Sequence, residues 1–169
     1  MTDRPGYSAA GSQMTAIWLE VFRLNGRLIA AGDALVADLG LTSARWQVLG
    51  AIALSERPQT VSVIARRMGL TRQAVQRIVN DMAAVDLIAM KDNPADKRAK
   101  LARLTDRGQE VYETAISRQV PWANETAAGI VPTRLTEALE VLQTIGQRLD
   151  PQVPSVRQPD TSGMREDAV

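Results

Sequence analysis

The sequence predicts a mainly α-helical fold carrying one small β-hairpin, and three observations predict it. Apolar residues recur at spacings of three and four over most of the 169 residues, the period of helices with one buried face. Ser and Thr residues suited to helix capping precede these runs at Thr42 or Ser43, Ser62, Thr71 and Thr105. Only Leu87 to Met90 and Lys100 to Leu104 read as strands, and they flank the turn-forming Asn93-Pro94-Ala95-Asp96.

Taken in order, residues 1–12 hold Gly, Pro and Ser without periodicity and read as a flexible tail. Gln13 to Leu39 reads as a helix with Ile17, Trp18, Val21, Leu24, Leu28, Leu35 and Leu39 on its apolar stripe, and Gly40 stops it. The second helix runs to about Leu54 and turns Trp46, Leu49, Ile52 and Ala53 inward. After a loop at Glu56 to Gln59, Thr60-Val61 has the makings of a short strand, and Ser62 is expected to cap a third helix ending at Met68 before the Gly69 turn. Thr71 opens a fourth helix with Val75, Ile78, Val79 and Met82 inward, ended by Asp86. A fifth follows Thr105, with Val111, Tyr112, Ala115 and Ile116. Pro121 is expected to kink or break it near Val120, because proline lacks an N–H and its ring crowds the preceding turn. A sixth, Pro132 to Leu149, buries Leu135, Leu139, Leu142, Ile145 and Leu149. Residues 150–169, with three prolines among polar residues, read as a disordered tail.

Composition removes whole classes of chemistry. The chain has no cysteine and no histidine, which excludes zinc sites, Cys–His dyads and Ser–His–Asp triads. No phosphate-cradling Gly loop is present, so neither an enzyme nor a cofactor or metal is expected. No apolar run reaches 18 residues and the N-terminus lacks a signal pattern, so the expected location is the cytoplasm, with no membrane partner. The net charge is only +1, but it is unevenly spread. Between Arg57 and Arg107 eleven basic residues face five acidic ones, a local +6, while the rest of the chain carries −5. A basic centre with acidic flanks points to a polyanion partner.

Two elements in that centre carry chemistry. On the fourth helix Arg72, Gln73, Gln76, Arg77 and Asn80 share one face, since steps of one, three and four stay within about a third of a turn. Arg bonds two acceptors on guanine, and Gln or Asn bonds the adenine edge. Acids are missing from its first turn, where they would favour the helix dipole. In the hairpin, Lys97 and Arg98 sit at or just past the turn, and a narrow minor groove attracts an inserted Arg. Asp96 beside them is expected to hold Arg98 or a turn amide in place. Helix, tight turn, helix and basic hairpin between Ser62 and Gly108 form a winged helix-turn-helix. Thr71, Arg66, Lys97, Lys100 and Arg103 then suit phosphates, and the fourth-helix side chains suit base edges.

The same stretches carry a resemblance. Leu41-Thr42, Arg45-Trp46 and Val48-Leu49, then Val63 to Gln73, then Val75, Arg77, Ile78 and Val79, and above all Asp96-x-Arg98 followed by Leu104-Thr105-x-x-Gly108 resemble the MarR family of transcriptional regulators over about residues 13–149. Asp86 stands where the family often has Gly, and Asp tolerates left-handed angles. Ala83-Ala84-Val85 replaces a usually charged stretch, for which we have no physical account. The resemblance implies a homodimer. Its DNA-binding part is about 42–105, and its dimerisation helices, about 13–39 and 106–149, interleave as the dimer body. It also implies a repressor of a double-stranded DNA operator, with an effector pocket between body and reading domain. Trp18, Phe22, Arg45 and Trp46 are the candidates there, for a small aromatic or anionic effector that Arg45 would meet. The rival reading makes the three aromatic members of that set, Trp18, Phe22 and Trp46, simply core. A DNA-binding dimer without a ligand, and a protein-interaction module that reads no DNA, are the rival readings. Broad apolar stripes on the terminal helices independently ask for a two-fold partner, with packing of the two helices on each other within one chain as the alternative.

Overall fold

The computed structural model describes residues 6–150, and the chain divides into two compact units after Ala123. The first holds α1 (Ala9–Val36), α2 (Ser43–Ala53), β1 (Gln59–Thr60), α3 (Val61–Arg67), α4 (Arg72–Ala84), β2 (Ile88–Lys91), β3 (Leu101–Leu104) and most of α5 (Asp106–Ala127). The second holds the end of α5 and α6 (Pro132–Arg148). Helices dominate, and the strands form one antiparallel sheet in the order β1-β3-β2, as a winged helix requires.

Local side chains decide most boundaries. Ser8 Oγ accepts from Gly11 N at 3.0 Å, so α1 begins at Ala9. The tail expected over 1–12 therefore yields Ala9 to Ser12 to helix, where two alanines favour that state. Residues 1–5 of that tail, and 151–169 of the C-terminal one, lie outside the described residues. A 3-10 turn over Ala37–Leu39 follows α1, and Gly40 ends it at φ 70°. Thr42 and Thr71 cap α2 and α4, with Thr71 Oγ1 accepting from Ala74 N at 3.2 Å.

Two expectations are corrected. Thr60, not Ser62, caps α3: its hydroxyl accepts from Val63 N. Thr60 already has the extended backbone of β1, φ −76° and ψ 155°, so strand end and helix cap coincide at Thr60, one residue before the expected strand end and two before the expected cap. Pro121 does not end α5, which continues to Ala127 and stops before Gly129 at φ 79°. The proline ring sits on an exposed position, and ordered turns before and after it outweigh one missing donor.

The core lies under the reading domain. Val48, Leu49 and Ile52 of α2, Val61, Ile64 and Ala65 of α3, and Val75, Val79 and Met82 of α4 meet Leu87, Ile88, Ala102 and Ala115, all at 7% exposure or less. Removing so much apolar surface from water at about 25 cal/mol per Å² fixes α3 and α4 onto α2 and the sheet. The apolar stripe of α1 differs. Only Gly32 and Val36 are buried, whereas Trp18 is 42% and Phe22 74% exposed. The stripe expected to be buried on α6 is corrected too: no α6 residue is buried, and Leu135, Leu139, Leu142 and Leu149 are exposed, because periodicity marks an apolar face without supplying its cover.

Candidate nucleic-acid interface

The turn between α3 and α4 is set by Gly69 at φ 64°, with Leu70 N donating to Ala65 O at 2.9 Å. A left-handed residue there suits glycine, which has no Cβ to clash. Because Val75, Val79 and Met82 face the core, the opposite side of α4 faces outward. Arg72, Gln73, Arg77 and Asn80 are exposed and Gln76 is half-buried. The five border one shallow depression. Gln76 Nε2 donates to Asn80 Oδ1 at 2.9 Å.

The wing is the β2–β3 hairpin, registered by Ile88 opposite Leu104 and Met90 opposite Ala102. Its tip is built from two side-chain-to-backbone bonds. Asn93 Oδ1 accepts from Ala95 N at 3.0 Å, and Asp96 Oδ1 accepts from Arg98 N at 2.9 Å. Of the two roles open to Asp96 in the sequence, the structure assigns it the turn amide and leaves the Arg98 guanidinium alone. A groove of about 360 Å³ lies between α4 and the wing, with Arg72, Gln76 and Asn80 from the helix and Arg98 and Lys100 from the hairpin.

Electrostatic partners separate two kinds of cation. Arg45 donates to Gly40 O and pairs with Asp81 at 3.7 Å, Arg67 donates to Ser55 Oγ at 2.8 Å, and Arg118 is held by Asp38 and Leu35 O. Each ties one element to another. Among the described residues, no acid or carbonyl holds the head groups of Arg66, Arg72, Arg77, Lys97, Arg98, Lys100 or Arg103. These cations keep all their donors open, and they cluster on α3, α4 and the wing.

The wing root is fixed by close backbone contact. Asp86 adopts φ 59°, which lets the chain leave α4 and enter β2. Thr105 Oγ1 donates to the Asp86 carbonyl at 2.6 Å and accepts from Gly108 N at 2.9 Å. Thr105 N donates to Leu87 O at 3.2 Å. A Cβ added at Gly108 would overlap that same Leu87 carbonyl. The Leu104-Thr105-x-x-Gly108 pattern is thus a joint between hairpin and α5.

A second cavity, about 290 Å³, opens between α1, α2 and α5. Trp46, Tyr112 and Trp122 line it with Ile116, Gln47 and Gln119, and no charged side chain among the described residues does so. Of the four residues expected at an effector pocket, Trp46 lines this cavity and Trp18, Phe22 and Arg45 do not. Trp18 and Phe22 lie earlier on α1 and are neither in this cavity nor in the core, and Arg45 is engaged by Asp81. Tyr112, Ile116, Gln119 and Trp122, which also line this cavity, were not among the expected residues, although they recur at steps of four, three and three along α5.

Known proteins resemble the chain along this same framework. The sequence model of the MarR family matches residues 39–99, which span α2, the helix-turn-helix and the wing tip. An uncharacterised protein of Mycobacterium tuberculosis is 36% identical over 124 residues, covering 73% of this chain and 85% of that one. The chain belongs to the MarR family. A MarR/EmrR family regulator from Acinetobacter superposes with a TM-score of 0.74 at 20% identity, covering 82% of this chain and 97% of that one. CouR from Rhodococcus jostii, solved bound to p-coumaroyl-CoA, gives 0.70 at 21% identity, covering 84% and 95%. This MarR chain therefore has the winged helix-turn-helix of DNA-binding transcription regulators. No helix among its described residues is long and apolar enough to cross a membrane.

Proposed function

We propose that this MarR chain binds a specific double-stranded DNA operator as a cytoplasmic homodimer and represses transcription until a small molecule releases it. The observation that carries the reading is the groove in which Arg72, Gln76 and Asn80 of α4 stand opposite Arg98 and Lys100 of the wing. A helix fits the major groove, about 12 Å wide, and an Arg on a hairpin fits the neighbouring minor groove. Arg72, Gln73, Gln76, Arg77 and Asn80 read base edges, while Thr71, Arg66, Lys97, Lys100 and Arg103 bond phosphates. Asp96 keeps the Arg98 backbone in place.

Exposed apolar residues support the homodimer: Phe22 and Leu19 on α1, and separately Leu135, Leu139 and Leu142 on α6. Covering them with a two-fold copy removes an unfavourable wet surface. Two reading helices would then enter successive major grooves about 34–36 Å apart. The cavity at Trp46, Tyr112 and Trp122 is the effector site. Its uncharged lining favours a neutral aromatic molecule over the anion that Arg45 would have met. A ligand preferring one spacing of the two reading heads lowers DNA affinity by its differential binding energy.

Footprinting on DNA upstream of the chain's own gene, and of neighbouring genes, tests the reading. Protection of two half-sites one helical turn apart is expected. If no fragment is protected at low salt, the operator reading fails. Tryptophan fluorescence titrated with neutral and anionic aromatics tests the cavity. Quenching by neutral members alone is expected, and silence across both sets removes the effector.

A further inference from the structure

The bond from Gln76 Nε2 to Asn80 Oδ1, 2.9 Å long, has a consequence for what α4 reads, which rests on the DNA-binding reading above. A glutamine amide carries a donor end and an acceptor end, and a free one presents them in either order. Here one Nε2 hydrogen is committed to Asn80. That bond leaves the second Nε2 hydrogen and Oε1 available to a base edge. That order matches adenine, whose N7 accepts and whose N6 donates. It mismatches guanine, whose O6 would meet Oε1 with two lone pairs opposed.

The same bond polarises Asn80. Its Oδ1 accepts from Gln76, which engages one lone pair and leaves the two hydrogens of Nδ2 to donate. It then suits an acceptor edge, thymine O4 or guanine O6 and N7. Gln76 is half-buried in the groove beside Arg98 and Lys100, so its amide has less freedom than its neighbours on the helix. We infer that Gln76 and Asn80 act as one hydrogen-bonded reading unit, which selects an adenine and, at the adjacent base pair, a thymine or guanine in each half-site. An ordinary i,i+4 side-chain contact would steady the helix slightly and select nothing.

Selection of bound duplexes from a random library by the full chain and four variants tests this. The wild type should return one adenine per half-site, and Gln76→Ala should lose the preference there by tenfold to a hundredfold while other positions persist. Gln76→Glu, an acceptor only, should move that position to cytosine, whose N4 donates. Asn80→Ala frees the amide and should also weaken the adenine preference. Asn80→Asp still accepts from Gln76 and should keep it, while moving the adjacent position to cytosine. An unchanged site with Gln76→Ala overturns the inference, and so does an Asn80→Ala protein with full adenine preference, since the amides would then act independently. If the wild type selects no duplex at all, the DNA-binding reading itself has failed and this falls with it.

Discussion

Single residues at the wing decide whether the hairpin is placed and whether it binds, and the two jobs are separable. Arg98 has no protein partner for its guanidinium among the described residues, so Arg98→Ala should leave the thermal midpoint unchanged and weaken operator binding at least tenfold in a gel-shift titration at fixed salt. Unchanged affinity would remove the wing from the interface. Gly108 is the opposite case. In a helix, Gly→Ala ordinarily gains up to about 1 kcal/mol. Here the new methyl meets the Leu87 carbonyl, which is backbone and already accepts from Thr105 N. Overlap should win, and Gly108→Ala should destabilise by about 1–3 kcal/mol, read by urea unfolding. Asp86 at φ 59° tests the same joint more gently. Asp86→Gly should be neutral or stabilising, and Asp86→Val should cost about 1–2 kcal/mol. The outward face of α4, the Asp86 bend and the Asp96 contact were legible in the sequence, because each follows from periodicity or turn chemistry within a few residues. The wall of the aromatic cavity was not. Trp46 and Tyr112 are 66 positions apart, and nothing local says that α5 passes over α2.

At the scale of the element, the helices were found from their periodicity and most of their caps from their first residues. What the sequence left open was which partner each apolar stripe has. The stripe of α1 reads like a core stripe at Trp18 and Phe22, yet burial begins only near Gly32. Periodicity reports that a face is apolar, and it does not name the surface that covers it. The end of α1 is instead tied by charge. Arg118 of α5 grips both oxygens of Asp38 and the Leu35 carbonyl. The Arg118 hydrogen bond, opposed by partial desolvation and aided by its charge, holds the Asp38 carboxyl below its usual value of 3.8. A carboxyl whose folded value is depressed contributes stability that is present above the unfolded value and lost as the pH falls through the folded one. The contribution should therefore be intact at neutral pH and disappear in strong acid, below about pH 4. Asp38→Asn should flatten that part of the acid-unfolding curve. An unaltered pH dependence would mean that the pair is too solvated to matter.

For the whole molecule, assembly and salt response belong together. The chain should run in solution as a dimer of twice 18.4 kDa. A monomer by light scattering at micromolar concentration would leave the apolar faces of α1 and α6 without their proposed cover. The four cations per copy proposed to meet phosphates, Arg66, Lys97, Lys100 and Arg103, make eight in the proposed dimer. Counterion release then gives a slope of about −7 in log affinity against log salt. Arg66→Ala should reduce its magnitude by roughly 2, and a flat response would argue against phosphate contacts altogether.

The smallest strand bears on how the proposed regulator would leave DNA. Gln59 and Thr60 pair with Ala102 and Leu101 of the hairpin, and the Thr60 hydroxyl also starts α3. Pulling the finger back would therefore strip the opening turn from the helix that supports the DNA reader. Retraction of the finger alone is thus an expensive route to release. The affordable motion carries finger and reader together as one rigid tool, and amide hydrogens at Val63 and Leu101 should exchange with water in step whether or not the tool is engaged.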